Sequence, residues 1–100
     1  MKKIPLRDLR GWPPDPGGAY DSYSKFPNSD EATIAAVFPL VEDQVIFTCE
    51  FERRRHSYRY FAPTETIATQ VHEILTKNLG KKLSDLRDFE IEIDAAKGAS

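Results

Sequence analysis

One cysteine, Cys49, occurs in the 100 residues. A lone thiol cannot close an intrachain disulfide, which excludes a stapled secreted scaffold and fits a reducing compartment. No apolar run approaches the ~18–20 residues that a membrane span requires. The basic start "MKKIPLRDLR" lacks the apolar segment of a secretory signal. Together these predict a cytoplasmic location and no membrane partner. The two histidines, His56 and His72, and the single cysteine form no set with metal-ligand spacing. "PGG" is not followed by the Lys and Ser/Thr of a phosphate-cradling loop. No metal or cofactor is expected. Neither sign of charge dominates: the formal net charge is −2, whereas a dedicated nucleic-acid binder is usually basic overall or on one face.

What is present fits one domain. A chain this long buries roughly 60–70% of the surface its unfolded form exposes, enough for one modest core. Hydrophobic residues make up 40% and charged residues 30%, the balance of a soluble globular protein. Residues 1–30 differ in texture from the rest. Five of the seven prolines and three of the five glycines fall there, and "PPDPGG" is turn chemistry almost throughout. The segment reads as an irregular arm. It also carries Trp12, Tyr20, Tyr23 and Phe26, more aromatics than a disordered tail holds, so it should pack at least partly on the domain. "RGWPPDP" matches a loose polyproline-ligand pattern through Arg10, Pro13 and Pro16, but a short pattern beside Gly-Gly is weak, and a turn-rich arm packed by Trp12 accounts for it.

Residues 31–94 read as the folded domain. "VEDQ" is a turn between apolar runs. A two-residue loop there opposes Val41 to Gln44, Phe38 to Phe47, Ala36 to Cys49 and Ile34 to Phe51. For the second hairpin, a loop at Arg54-Arg55, or from Arg53 to His56, opposes Phe51 to Tyr58, Cys49 to Tyr60, Phe47 to Ala62 and Glu50 to Arg59. Burial of one face selects these registers, because both build a continuous apolar surface. Pro39 places the first strand at an edge or interrupts it. The competing reading makes residues 29–37 a helix capped by Ser29.

The spacing of Ile67, Val71, Ile74, Leu75 and Leu79 predicts an amphipathic helix. Thr64 caps it, Gly80 stops it, and Lys77, Lys81 and Lys82 complement its C-terminal end. "FEIEID" alternates strictly and predicts a strand with Phe89, Ile91 and Ile93 inward. Residues 95–100 read as a frayed tail. The fold class is therefore α+β, with two layers. A three-stranded antiparallel meander and a C-terminal strand pack on one helix, in the order β-β-β-α-β after the arm.

The second face of that meander is less polar than a solvated face. Val37, Ile46 and Phe61 form a patch that the arm, another chain or a ligand would cover. Arg53, Arg54, Arg55 and His56 form a basic tip able to hold phosphates, with Arg59 and Phe61 beside it. Tyr58 and Tyr60 fall on the core face and are not free to stack on bases. Glu50 and Glu52 would repel a nucleic acid. Cys49 falls in the core, where a nucleophile lacks access, and no carboxylate pair is set apart as acid and base. The functional expectation is a non-enzymatic binding or protein-interaction domain, with a protein partner or a homodimer. Nucleic-acid binding through the arginine tip is the alternative. The candidate binding residues are Arg53, Arg54, Arg55, His56, Arg59, Phe61, Val37 and Ile46.

Overall fold

The alternating segments pair into an antiparallel meander. A computed structural model describes residues 2–12, 14, 31–51 and 53–93. Strands β2 (Thr33–Val37), β3 (Gln44–Phe51) and β4 (Arg54–Phe61) form one sheet in that order. Helix α1 (Glu65–Lys77) follows, then a 3₁₀ turn at Leu83–Leu86 and strand β5 (Glu90–Ile93). Residues 33–37 are thus strand and not helix. The arm is not irregular throughout: Lys2–Pro5 forms β1, which pairs antiparallel with β5 in a separate two-stranded ribbon. The expectations for Tyr20, Tyr23 and Phe26, for the complete polyproline pattern, and for the tail at 95–100 lie outside the described residues.

Both hairpin registers differ from expectation, for identifiable reasons. In the second, Phe51 opposes Arg54, Cys49 opposes His56, Phe47 opposes Tyr58 and Val45 opposes Tyr60. The ladder is shifted by four residues, so the arginines do not occupy a loop: Arg54 and Arg55 are in β4 and only Arg53 sits in the turn. The tighter turn lets all eight residues of β3 pair, and it requires a left-handed φ of 68° at Arg53. The added ladder bonds and ring stacking outweigh a left-handed conformation that costs about 1–2 kcal/mol in a non-glycine residue. An even shift leaves every side chain on its expected face.

The first hairpin begins as expected, with Val41 opposite Gln44. It then slips by one. Pro39 has no N–H to give to a ladder, residues 38–40 leave the strand, and Val37 rather than Phe38 opposes Phe47. An odd slip exchanges faces. Val37 packs against the core, and Phe38 is 44% exposed. A bulge between Ile34 and Ala36 slips the register again and returns Ile34 to the core, opposite Cys49.

The helix forms as its sequence dictates. Thr64 Oγ1 accepts a hydrogen bond from the Ile67 N–H (3.2 Å), and Gly80 supplies a φ of +88° just past the end. Ile67, Val71 and Leu75 are buried and Ile74 partly so. Leu79 is exposed because the helix ends at Lys77 and Leu79 lies in the following turn. Phe89 is also exposed: β5 begins one residue later, and its backbone instead accepts from the Leu6 N–H (2.7 Å).

Residues 6–12 lie on the same sheet face as the helix. Trp12 stacks on Phe47 (centroids 5.9 Å apart) and meets Tyr60 edge-on at 5.3 Å. Phe47 stacks in turn on Tyr58 at 5.2 Å. The Tyr60 hydroxyl donates to the Arg10 carbonyl oxygen (2.6 Å). The described part of the arm therefore covers the core face, not the second face as one expectation had it. Phe47 and Tyr60 together give Trp12 one ring to stack on and another to meet edge-on.

The register makes a testable distinction. Phe47→Ala should cost about 3–5 kcal/mol in chemical denaturation, the range for emptying a buried aromatic site. Phe61→Ala, a change at an exposed ring, should stay within about 0.5 kcal/mol.

Candidate interaction surface

The edges of the sheets are not alike. Beyond β2, Ile34 donates to the Lys81 carbonyl and accepts from the Gly80 N–H (2.9 Å each), while Leu83 donates to the Ala32 carbonyl (3.0 Å). Residues 80–83 thus line that edge as a short extra strand. At β5, the Gln70 side chain takes the place of a neighbouring strand. Its Nε2 donates to the Glu92 carbonyl, and its Oε1 accepts from the Glu92 N–H, at 2.7 Å each. Strand β4 has no such cover among the described residues.

Alternation fixes which groups face outward there. In an antiparallel pair only every second residue bonds to a given neighbour. Ala62 donates to the Asp43 carbonyl (2.9 Å) and Phe38 to the Ile46 carbonyl (2.9 Å). By the same alternation Arg54, His56, Tyr58 and Tyr60 bond toward β3. The N–H and C=O groups of Arg55, Ser57, Arg59 and Phe61 point away from the sheet. The side chains of these four residues share the outer face, and all four are exposed, Phe61 by 62%.

The expected site residues therefore separate. Arg55, Arg59, Phe61 and Ile46 meet on the outer face, with Ile46 directly opposite Arg59. Arg53 sits at the turn. Arg54 and His56 fall on the core side of β4, and Val37 belongs to the core. The register slip that removes Val37 puts Phe38 in its place. Phe38, just past the end of β2, continues with Ile46 on β3 and Phe61 on β4 as an apolar strip, with two arginines further along β4. Sequence reasoning missed Phe38 and the open edge. Pro39 carried the signal for the first, since a proline in an alternating run marks where its parity can change.

Charge on this surface is mainly basic at β4. Arg55 Nε lies 3.5 Å from Glu50 Oε1; with both groups largely exposed, such a pair contributes only a few tenths of a kcal/mol. Arg59 has no carboxylate partner among the described residues. At the far end of the sheet an open cleft of about 520 Å³ lies beside the bulge, lined by Glu31, Glu50, Arg55 and Lys82 around Ile34 and Phe51. Lys77 pairs with Glu73 along the helix (3.6 Å).

The remaining reactive side chains are held in structural roles. Burial pushes the Cys49 thiol up to about 12 and the Tyr60 hydroxyl up to about 12. His72 Nε2 is 2.9 Å from the Phe38 carbonyl oxygen; a carbonyl only accepts, so that nitrogen carries a proton. Among the described residues no group of three or more His, Cys, Asp or Glu is placed to hold a metal. No helix among them is long and apolar enough to cross a membrane.

The fold and surface define a small α+β domain with an exposed basic and apolar edge strand. No protein-family model matches the chain, and comparisons with curated proteins and with solved structures give no match.

Two measurements follow from the ionisable groups. Cys49 should resist a thiol reagent at pH 8 in the native protein and react at once in denaturant, because both burial and a raised pKa suppress the thiolate. His56 is held below its ordinary pKa by desolvation and then by Arg54. Its neutral form is thus favoured on folding, and the unfolded chain binds the extra proton. Stability should be fully present above about pH 6.5, the ordinary histidine value, and fall as pH drops toward the folded pKa. His56→Gln should remove that part of the decline in melting temperature.

Proposed function

We propose that the protein is a non-enzymatic interaction domain that binds a protein partner through the outer face and open edge of β4. One observation carries this reading: the only long strand edge left uncovered among the described residues coincides with the exposed Arg55, Ser57, Arg59 and Phe61. At the other side of the sheet residues 80–83 bond to Ala32 and Ile34 at the start of β2, and in the separate ribbon Gln70 clamps β5. An exposed edge invites pairing with another chain, and the Phe38–Ile46–Phe61 strip adds apolar area of the kind that marks contact sites.

The same geometry weakens the nucleic-acid alternative. Tyr58 and Tyr60 are buried, which leaves Phe61 as the ring available on β4 for base stacking. The arginines divide between the two faces and the turn, and Glu50 stands beside Arg55.

A photo-crosslinking residue at position 61, compared with one at Glu73 on the exposed helix face, tests the reading in cells. Crosslinks to protein should form at 61 and not at 73, survive nuclease, and fall in an Arg59→Glu background. Adducts that vanish with nuclease would turn the assignment to nucleic acid, and equal adducts at the two positions would remove the surface altogether.

A further inference from the structure

We infer that the partner is an acidic, extended segment that adds to β4 as a fourth, antiparallel strand. This inference rests on the interaction reading above and specifies its chemistry. Four residues of β4 present their backbone outward in alternation, as a strand requires of its neighbour. Strand addition takes affinity from main-chain hydrogen bonds and specificity from alternate side chains. Those side chains are Arg55, Ser57, Arg59 and Phe61, all exposed on one face.

Their order dictates the partner. Directly opposed residues of an antiparallel pair share a face, and opposite charges there are favourable. Reading the partner from its N-terminus, an apolar residue meets Phe61, an acid meets Arg59, a small polar residue meets Ser57 and a second acid meets Arg55. On its inner side Phe61 lies diagonal to Ile46, which opposes Arg59 on β3, so the apolar position extends a strip that already crosses β4. Among the described residues Arg59 has no carboxylate partner, and Arg55 has only the largely exposed Glu50, a weak pair that an incoming acid can share.

A second copy of the chain fits this edge poorly. Antiparallel pairing of β4 with itself would gather Arg55 and Arg59 of both copies on one continuous face, and like charges across strands are destabilising. The acidic strand β5 of another copy is no substitute, because Gln70 occupies the Glu92 backbone groups that it would have to offer.

The test uses the full chain and a fluorescent peptide of the pattern Val-x-Glu-x-Thr-x-Glu, with threonine at x. Its controls are the same peptide with lysine for glutamate, and the acidic peptide N-methylated at the residue opposite Arg59. Binding by anisotropy should weaken with salt. N-methylation should weaken it by about tenfold, since a main-chain bond is lost without any change of charge. Ser57→Pro should do the same, because the N–H it removes points away from β3 and leaves the ladder intact. Arg59→Glu should also weaken binding, and the lysine peptide should not bind. Equal binding of the methylated and unmethylated peptides would overturn strand addition while leaving a charge-driven interaction surface. No binding of the acidic peptide, with sedimentation showing a dimer that Ser57→Pro dissociates, would give the edge to a second copy and overturn the inference. The methylated peptide keeps the test decisive should Ser57→Pro fail to fold.

Discussion

The ring of Phe47, held between Tyr58 and Trp12, is the contact on which the rest of the molecule depends. Its stack on Tyr58 fixes the pairing of β3 with β4. A shift of that pairing by one residue would take Tyr58 off Phe47 and turn the whole apolar set of β4 outward. Its stack on Trp12 draws the N-terminal segment onto the core face. That segment carries β1 to β5, and the ribbon they form is tied to the helix by Gln70. One buried ring thus links three separate stretches of the chain. Aromatic pairs add roughly 0.5–1.5 kcal/mol each beyond the area they bury, and here they also select a register.

The faces of the meander were legible in the sequence because side-chain alternation is a property of the strand alone. An even error of register costs nothing in face assignment. Cys49, Tyr58 and Tyr60 are core residues in the expected and observed ladders alike, although their partners differ. The turn was not legible. Arg53 adopts a left-handed conformation without the Gly or Asn that would announce it; the preference of the two long strands for full pairing overrode local turn chemistry. Pro39 marks an edge or an interruption, and both occur here, but the exchange of Val37 for Phe38 depends on how many residues the chain spends passing the proline. Local propensity does not set that number. The pairing of β1 with β5 joins residues at opposite ends of the described chain and rests on two short strands, one ending in proline, so no nearby pattern could reveal it.

Of the candidate site, the sequence showed the residue types but not their distribution. "RRRHSYRYF" concentrates charge and aromatic rings in one stretch, and a strand separates them by parity. Tyr58 and Tyr60 go to the core, Arg55, Arg59 and Phe61 go outward, and Arg54 and His56 take the core side near the turn. The resulting outer face combines two arginines with an apolar strip. A loop reading of the same residues would have grouped the charges at a tip, with no backbone to offer. The difference is chemical: a tip can present only side chains, whereas an edge strand presents side chains and a regular series of donors and acceptors.

That series explains why the treatment of the edges matters. An open strand edge is a hazard for any soluble chain, and this fold closes two edges by unrelated means. A backbone segment serves β2, and a single glutamine side chain serves β5. Residues were therefore available to the fold for closing edges, and β4 was left to a different protection, the charge of Arg55 and Arg59. Charge of one sign guards against pairing with an identical strand but does nothing against a strand of opposite charge. In the proposed interaction the guard and the recognition element would be the same two side chains, and discrimination between self and partner would follow from the sign of the charge, without any contact that exists only to exclude.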